Sequence, residues 1–328
     1  MNDSAVWRFL AGRGAQYLLV LALTVALNFV LPRMMPGSPL VFLAGEDVGF
    51  LDAEQRAQLY ALYGLDQPQW KQFLTYVGNL ARGELGYSFQ RGRPIAEIVG
   101  ERIPWTLLLV GLSLVIATLL GAALGAMTAW RRGSALDLGT LGVAMFFESV
   151  PSFWLGMIFI AVFAAGLGWL PIFGAATPGV TLAGWPMLVD RARHLVLPLA
   201  TLTLITVPGT LLIMRYSMLS VLGEQYITTA RAKGVRERVV LRRHAMRNAL
   251  LPVATVFMLN LGFVASGATV VETVFSYPGV GRLLYEAVLN RDYPVLQGTF
   301  LIITVSVIAA NIASDLLYPL IDPRVRRR

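Results

Sequence analysis

The side chains able to do chemistry in this sequence are few. It has no cysteine and only two histidines, His194 and His244. Disulfides, thiolate metal sites and cysteine nucleophiles are therefore excluded, and a histidine-bound metal is disfavoured for want of ligands. No Gly-x-x-x-x-Gly-Lys-Ser/Thr segment occurs, so the chain offers no loop of backbone amides and lysine to cradle nucleotide phosphates. Any energy from ATP has to enter through another protein.

Three groups of residues remain. Glu148 stands within an apolar run, where a carboxylate costs about 2.5 to 3.5 kcal/mol on insertion scales and is expected to face protein or water. Two roles fit it. It could line a pathway and attract a passing cationic group, or it could make a structural hydrogen bond to a partner chain or to a hydroxyl such as Ser149 or Ser152. A second group is polar but uncharged: Thr201, Thr203, Thr206, Thr255, Asn260, Ser266 and Thr269 place hydroxyls and an amide in otherwise apolar segments, where many hydroxyls simply bond their own helix backbone. The third is a basic stretch from Glu224 to Asn248, whose one glycine, Gly234, divides it into two short helical pieces as a carboxy-terminal cap would.

The elements that must hold these groups are membrane helices. Hydrophobic residues make up 56% of the 328 and charged residues only 14%, against roughly 25% charged in a soluble domain. The apolar residues gather into six runs: Tyr17 to Leu31, Trp105 to Trp130, Leu138 to Leu170, Leu195 to Leu222, Ala249 to Val271, and Thr299 to Leu320. A helix needs about 20 apolar residues to cross hydrocarbon, and the backbone finds no other hydrogen-bond partner there. The expectation is an all-α polytopic membrane protein of six transmembrane helices, its third run long enough to include a re-entrant piece. The first run is read as a retained helix, because no small-residue cleavage site follows it.

Charge orients the bundle. With the amino terminus inside, 16 of the 27 Lys and Arg fall in inside segments, and the short loops favour both termini in the cytoplasm. The net charge of +8 then reflects basic cytoplasmic loops beside lipid and gives no reason to invoke nucleic acid. The chain divides into residues 1–31, a cytoplasmic end and first helix; 32–104, an outside segment with helical periodicity around Gln55 to Tyr63 and Trp70 to Leu80; and 105–328, a transmembrane core carrying the basic loop at about 223–248. A further outside stretch, Glu272 to Gln297, has a turn at Ser276-Tyr277-Pro278-Gly279 and a short helix from Arg282 to Asn290. Pro151 and the Pro208-Gly209 pair interrupt apolar runs and read either as hinges or as kinks fixed by packing. Gly121 and Gly125 form a Gly-x-x-x-Gly step suited to close helix contact.

Four motifs, in order, carry a resemblance. Tyr63-Gly-Leu-Asp-Gln-Pro68 with Gly83-Glu-Leu-Gly-Tyr-Ser88 comes first. The basic loop Tyr226, Ile227, Thr228, Thr229, Ala230, Arg231, Ala232, Lys233, Gly234 follows, with Arg243, His244, Arg247, Asn248 and Pro252. Then come Glu272-Thr-Val-Phe-Ser-Tyr-Pro-Gly-Val-Gly281, running to Asn290-Arg-Asp-Tyr-Pro294, and finally Asp322-Pro323-Arg324. The chain resembles the permeases of binding-protein-dependent ABC importers, specifically the dipeptide, oligopeptide and nickel branch. It departs from the generic importer loop at Thr228-Thr229-Ala230, where that loop opens with an acid, and from the family in the third run at Glu148, where an apolar or small residue is expected.

The resemblance implies the type I importer permease fold and translocation by alternating access. The implied partners are a second homologous permease, two cytoplasmic ATPases that bind ATP and magnesium, and an external solute-binding protein. It makes Tyr226 to Gly234, with Arg243, Arg247 and Asn248, the loop that couples to the ATPase, the small side chain of Ala230 allowing close approach. It places polar residues of the fourth and fifth runs, among them Thr206, Asn260 and Ser266, on the pathway; Glu148 and Ser152 are candidate pathway residues on their own chemistry, and Pro151, Pro208 and Gly209 are candidate hinges. No catalytic residue, cofactor or metal site belongs to this chain. The competing readings are a stand-alone secondary transporter, which would show inverted repeats and paired membrane charges, and a membrane scaffold.

Overall fold

The computed structural model describes residues 3–34, 52–62, 65–88 and 90–321. The motif at Asp322-Pro323-Arg324 lies outside them, as do Tyr63 and Gly64. Helix α1 is Asp3–Met34. Two short helices follow, α2 (Ala53–Leu62) and α3 (Gln69–Ala81), the latter started by Pro68. A two-residue hairpin, β1 (Tyr87–Ser88) with β2 (Arg93–Pro94), leads directly into α4 (Ile95–Trp130). This helix therefore begins well before the apolar run at Trp105, and it widens into one π turn at Leu107–Gly111.

The apolar run from Leu138 to Leu170 is not a single helix. It is split into α5 (Ala135–Ser149) and α6 (Ser152–Gly166), bent by 101° at the break. Pro151 is the cause: its ring disfavours helical geometry at Val150, which is extended at φ −81° and ψ 126°. Ser134 starts α5 by accepting the Asp137 backbone N–H at 3.2 Å.

Helix α7 (Trp185–Leu222) is the longest and runs unbroken through Pro198 and Pro208. After the short α8 (Gln225–Ala232) comes α9 (Glu237–Ser266). The second short piece expected between Gly234 and Asn248 is thus the start of a long helix. That helix ends earlier than the run to Val271 suggested, because Gly267 turns the chain at φ +81°, and Val271 belongs to the separate α10 (Thr269–Val274). Helices α11 (Val280–Leu289) and α12 (Tyr293–Ile321) complete the chain.

Among the described residues, α4, α7, α9 and α12 are long and apolar enough to cross a membrane, and the bent α5–α6 pair adds a fifth crossing if it is counted as one span. The apolar stretch of α1, Gly14–Val30, is shorter. Less than half of each long apolar window is buried within the chain, so the remaining apolar surface faces lipid or neighbouring subunits.

The tightest pair is α4 against α7. A Cβ on Gly121 would lie 2.7 Å from Thr210 Cβ, and one on Gly125 would lie 2.8 Å from Met214 Cβ and overlap the Leu211 carbonyl. The Gly-x-x-x-Gly step thus lets two backbones touch. Helix α1 packs on α12 through polar ties: the Asn28 side-chain amide donates to the Gln297 carbonyl at 3.1 Å and the Gln297 amide donates to the Asn28 carbonyl at 2.5 Å. The Tyr17 hydroxyl donates to Asp315 at 2.8 Å.

Candidate coupling surface and pathway residues

Helix α8 is two turns long, and its end is determined by backbone chemistry. The Gly234 N–H donates to the Arg231 carbonyl at 2.9 Å and the Val235 N–H to the Ala230 carbonyl at 3.2 Å. This is the Schellman pair that satisfies the last carbonyls of a helix. It requires a left-handed residue between, and Gly234 sits at φ +73° with nothing within 4 Å of the place a Cβ would take. The glycine is needed for its torsion, not for space.

One face of α8 is seated on the bundle. Ile227 is fully buried and Ala230 nearly so, packed among Met214 and Met218 of α7, Val240, Ala245 and Ala249 of α9, and Ala126 and Ala129 of α4. Ala230, whose small side chain is expected to allow close approach, faces its own bundle, where its size lets α8 approach α4, α7 and α9. The outward face carries Tyr226, Thr228, Thr229, Arg231, Ala232, Lys233 and Gly234, all exposed, with Arg243 and Arg247 of α9 exposed beside them.

Side-chain ties fix the angle between α8 and α9. The Asn248 amide donates to the Tyr226 hydroxyl at 3.0 Å and to the His244 carbonyl at 3.1 Å. Arg231 pairs with Glu237 at 3.0 Å across the Gly234 turn. Thr229 is spent on its own helix, donating to the Gln225 carbonyl at 2.9 Å.

Close to this end of the bundle is a pair that the sequence did not reveal. The Arg215 guanidinium donates to both oxygens of Asp137 at 3.0 Å, joining α7 to the start of α5, and the Gly133 N–H adds a third bond at 2.9 Å. In the sequence Arg215 is one charge near the end of the fourth apolar run, and nothing there ties it to Asp137. The sole signal of the pair is an acid three residues after Ser134, the spacing of a helix start.

The residues expected on the pathway and at hinges are spread over α5, α6, α7, α9 and the α5–α6 break. Glu148 is exposed next to the end of α5 and has no hydrogen bond or ion pair among the described residues. Ser149 donates to its own helix at the Met145 carbonyl, 2.8 Å away, which removes one structural partner open to Glu148. Ser152 opens α6 beyond the 101° bend, and Pro151 is the residue at that bend. Thr206 donates to the Leu202 carbonyl at 2.7 Å and Ser266 to the Phe263 carbonyl at 2.6 Å, while Asn260 is exposed on α9. Pro208 is buried and Gly209 exposed within unbroken α7, with no helix break at either.

The opposite end of the bundle is held by a buried carboxylate. Glu272, fully buried, accepts the Thr106 hydroxyl at 3.0 Å, the Arg282 backbone N–H at 3.0 Å and the Ala268 N–H at 3.3 Å, while Thr106 itself accepts the Val280 N–H at 2.8 Å. A Cβ on Gly279 would fall on that carboxyl group. The expected turn at Ser276 to Gly279 wraps this knot, with Ser276 at φ +50°. Tyr277 is buried beside it, its ring 5.9 Å from that of Trp105; burial first, and then the Glu272 charge, push its phenol up to about 12. Nearby, Ser88 donates to buried Asp292 at 2.5 Å and Arg91 pairs with Glu286 at 3.0 Å. Two of the motifs noted in the sequence therefore dock on one another across 204 residues.

Residues 121–327 match the model of the family described as binding-protein-dependent transport system inner membrane component. The chain is 37% identical over 308 residues to the oligopeptide transport system permease protein AppB of Bacillus subtilis (strain 168), covering 94% of this chain and 95% of that protein. It is 37% identical over 319 residues to the dipeptide transport system permease protein DppB of Escherichia coli (strain K12), covering 92% and 94%. Among solved structures, a chain of the MetNI methionine ABC transporter in an inward-facing form aligns with a TM-score of 0.55 at 16% identity, covering 69% of this chain and 96% of that one, a likeness of fold alone. The chain belongs to the family of binding-protein-dependent transport system inner membrane components and is a multi-pass membrane protein.

Proposed function

We propose that this chain is the membrane-spanning permease subunit of an ATP-driven importer, and that its cargo is dipeptides or oligopeptides. The observation that carries the reading is α8, a short helix whose apolar side is locked into the bundle while its polar and basic side is presented outward. A rigid element of this kind can pass movement between an ATPase and the membrane helices, because Ile227 and Ala230 tie it to α4, α7 and α9 at once. The names of the two relatives support the peptide cargo. In this reading a second homologous permease completes the pathway, two ATPases bind ATP and magnesium against the outward face of α8, and a solute-binding protein delivers cargo on the other side. Both termini and α8 lie in the cytoplasm, in keeping with the basic short loops.

Glu148 and Ser152 at the α5–α6 bend, with Thr206, Asn260 and Ser266, are the pathway residues proposed, and Pro151 is the hinge proposed first, since the chain already turns there. Purification of the tagged chain from its native membrane tests the assignment. Two ATPase chains and a sister permease are expected to copurify, and uptake of labelled peptide in vesicles is expected to need ATP on the α8 side. Transport by the isolated chain driven by an ion gradient would instead identify a secondary transporter, and recovery with no ATPase a scaffold. Uptake of labelled nickel in place of peptide would correct the cargo.

A further inference from the structure

Helix α3 is attached to the end of α1 with half of its apolar arc uncovered. Successive residues of a helix turn by about 100°, which sets Tyr76, Leu80 and Phe73 on one side of the arc and Trp70, Leu74 and Val77 on the other. The first side is occupied. Phe73 and Tyr76 stack around Phe29 of α1 with ring centroids 5.1 and 5.8 Å away. Arg33 of α1 lies 3.5 Å from the Phe29 ring centre and donates to the Gln72 side chain at 2.9 Å. The second side is bare: Trp70 is 62% exposed, Leu74 60% and Val77 36%. Lys71, Thr75 and Asn79 make up a polar back.

The position of α3 along α1 indicates what covers the bare side. Leu19, Leu23, Leu27, Val30 and Met34 form one outward stripe on α1, each 41% exposed or more, and in a membrane helix such a stripe faces hydrocarbon. The stripe runs out at Met34, where Arg33 supplies a charge and α3 is docked. A helix with one apolar arc, a polar back and a tryptophan in its apolar face, placed where hydrocarbon ends, matches a segment lying in the headgroup layer.

We propose that the Trp70, Leu74 and Val77 face of α3 lies in the lipid interface and anchors the end of α1 there, the occupant being lipid and not a protein subunit. The proposal requires only that α1 stands in the membrane, so it survives or fails separately from the importer assignment.

The absence of cysteine permits a direct test. Leu74→Cys and Thr75→Cys are each labelled with a nitroxide in the full chain, kept with whatever subunits copurify, in lipid nanodiscs. Access to oxygen, which concentrates in lipid, is compared with access to a water-soluble nickel chelate. The oxygen-to-chelate ratio is expected to be severalfold higher at 74 than at 75. Equal ratios at the two positions would show a solvated face, and a label at 74 immobilised and shielded from both probes would show a protein partner; either overturns the proposal. Val77→Cys repeats the measurement if Leu74→Cys does not fold.

Discussion

Arg215 and Asp137, 78 residues apart in the chain, meet through two parallel hydrogen bonds of 3.0 Å each. Both side chains are largely shielded, at 13% and 2% exposure, and each is the other's principal partner. Removing one strands a charge, whereas removing both does not. Arg215→Met and Asp137→Leu are each expected to lower the thermal midpoint of the purified chain, and the double variant is expected to lower it by less than the sum. A drop equal to the sum would mean that the two groups do not stabilise each other.

Gly234→Val places a β-branched residue at φ +73°, at a torsional cost of about 1 to 2 kcal/mol. With open space around it, the substitution perturbs the turn and leaves the bundle intact. Membrane insertion is expected to be normal, while substrate-stimulated ATP hydrolysis by the copurified subunits falls severalfold. Gly234→Asn, which tolerates positive φ better, is expected to recover most of it. Full stimulation in the valine variant would show that the α8 turn has no part in coupling.

Sidedness can be read with cysteines in a cysteine-free chain. Ser88 is buried against Asp292 and Ser134 caps α5, so exposed neighbours serve better. Arg132→Cys is expected to react with a membrane-impermeant maleimide only from the cytoplasmic side, and Glu84→Cys only from the opposite side. The reverse pattern would place α8 outside and remove it from reach of any ATPase.

Glu148 has no partner among the described residues, yet an ionised carboxylate at membrane depth needs one. Water or cargo in the proposed pathway would supply it, or a neighbouring subunit would. Glu148→Gln keeps hydrogen bonding and removes charge; Glu148→Leu removes both. If the charge attracts a cationic end of the cargo, the glutamine variant assembles normally but transports with a raised KM. Parental transport by Gln together with failed assembly by Leu would assign Glu148 to a subunit contact.

Much of this fold was legible because membrane helices announce themselves by long apolar runs, and Pro68, Pro151 and Gly234 marked boundaries through chain chemistry that operates locally. The α8 turn was legible for the same reason. What escaped were relationships made by distant residues. The inward seat of Ala230 depends on Val240 and Ala245 rising beneath it, and no spacing within the loop encodes that. Glu272 looked like one more outer acid, because only folding brings Thr106 and the glycines at 267 and 279 around it. The long α9 reads in the sequence as a loop followed by a span, since its first third is strongly basic and lacks the apolar signal that identifies the rest. Glu148, Asn260 and Ser266 carry no shared signal in the sequence, because they stand on separate helices and no local spacing relates them.

The interlocked glycines of α4 and α7 restrict how such a machine can move. With Gly125 against the Leu211 carbonyl and Gly121 against Thr210, one helix cannot slide past or roll on the other without backbone collision. The two must travel as a single lever. If the assembly moves, compliance has to come from joints where no backbone is wedged, and the 101° break between Ser149 and Ser152 is the place where the proposed hinge would make a pivot at the edge of a stiff arm.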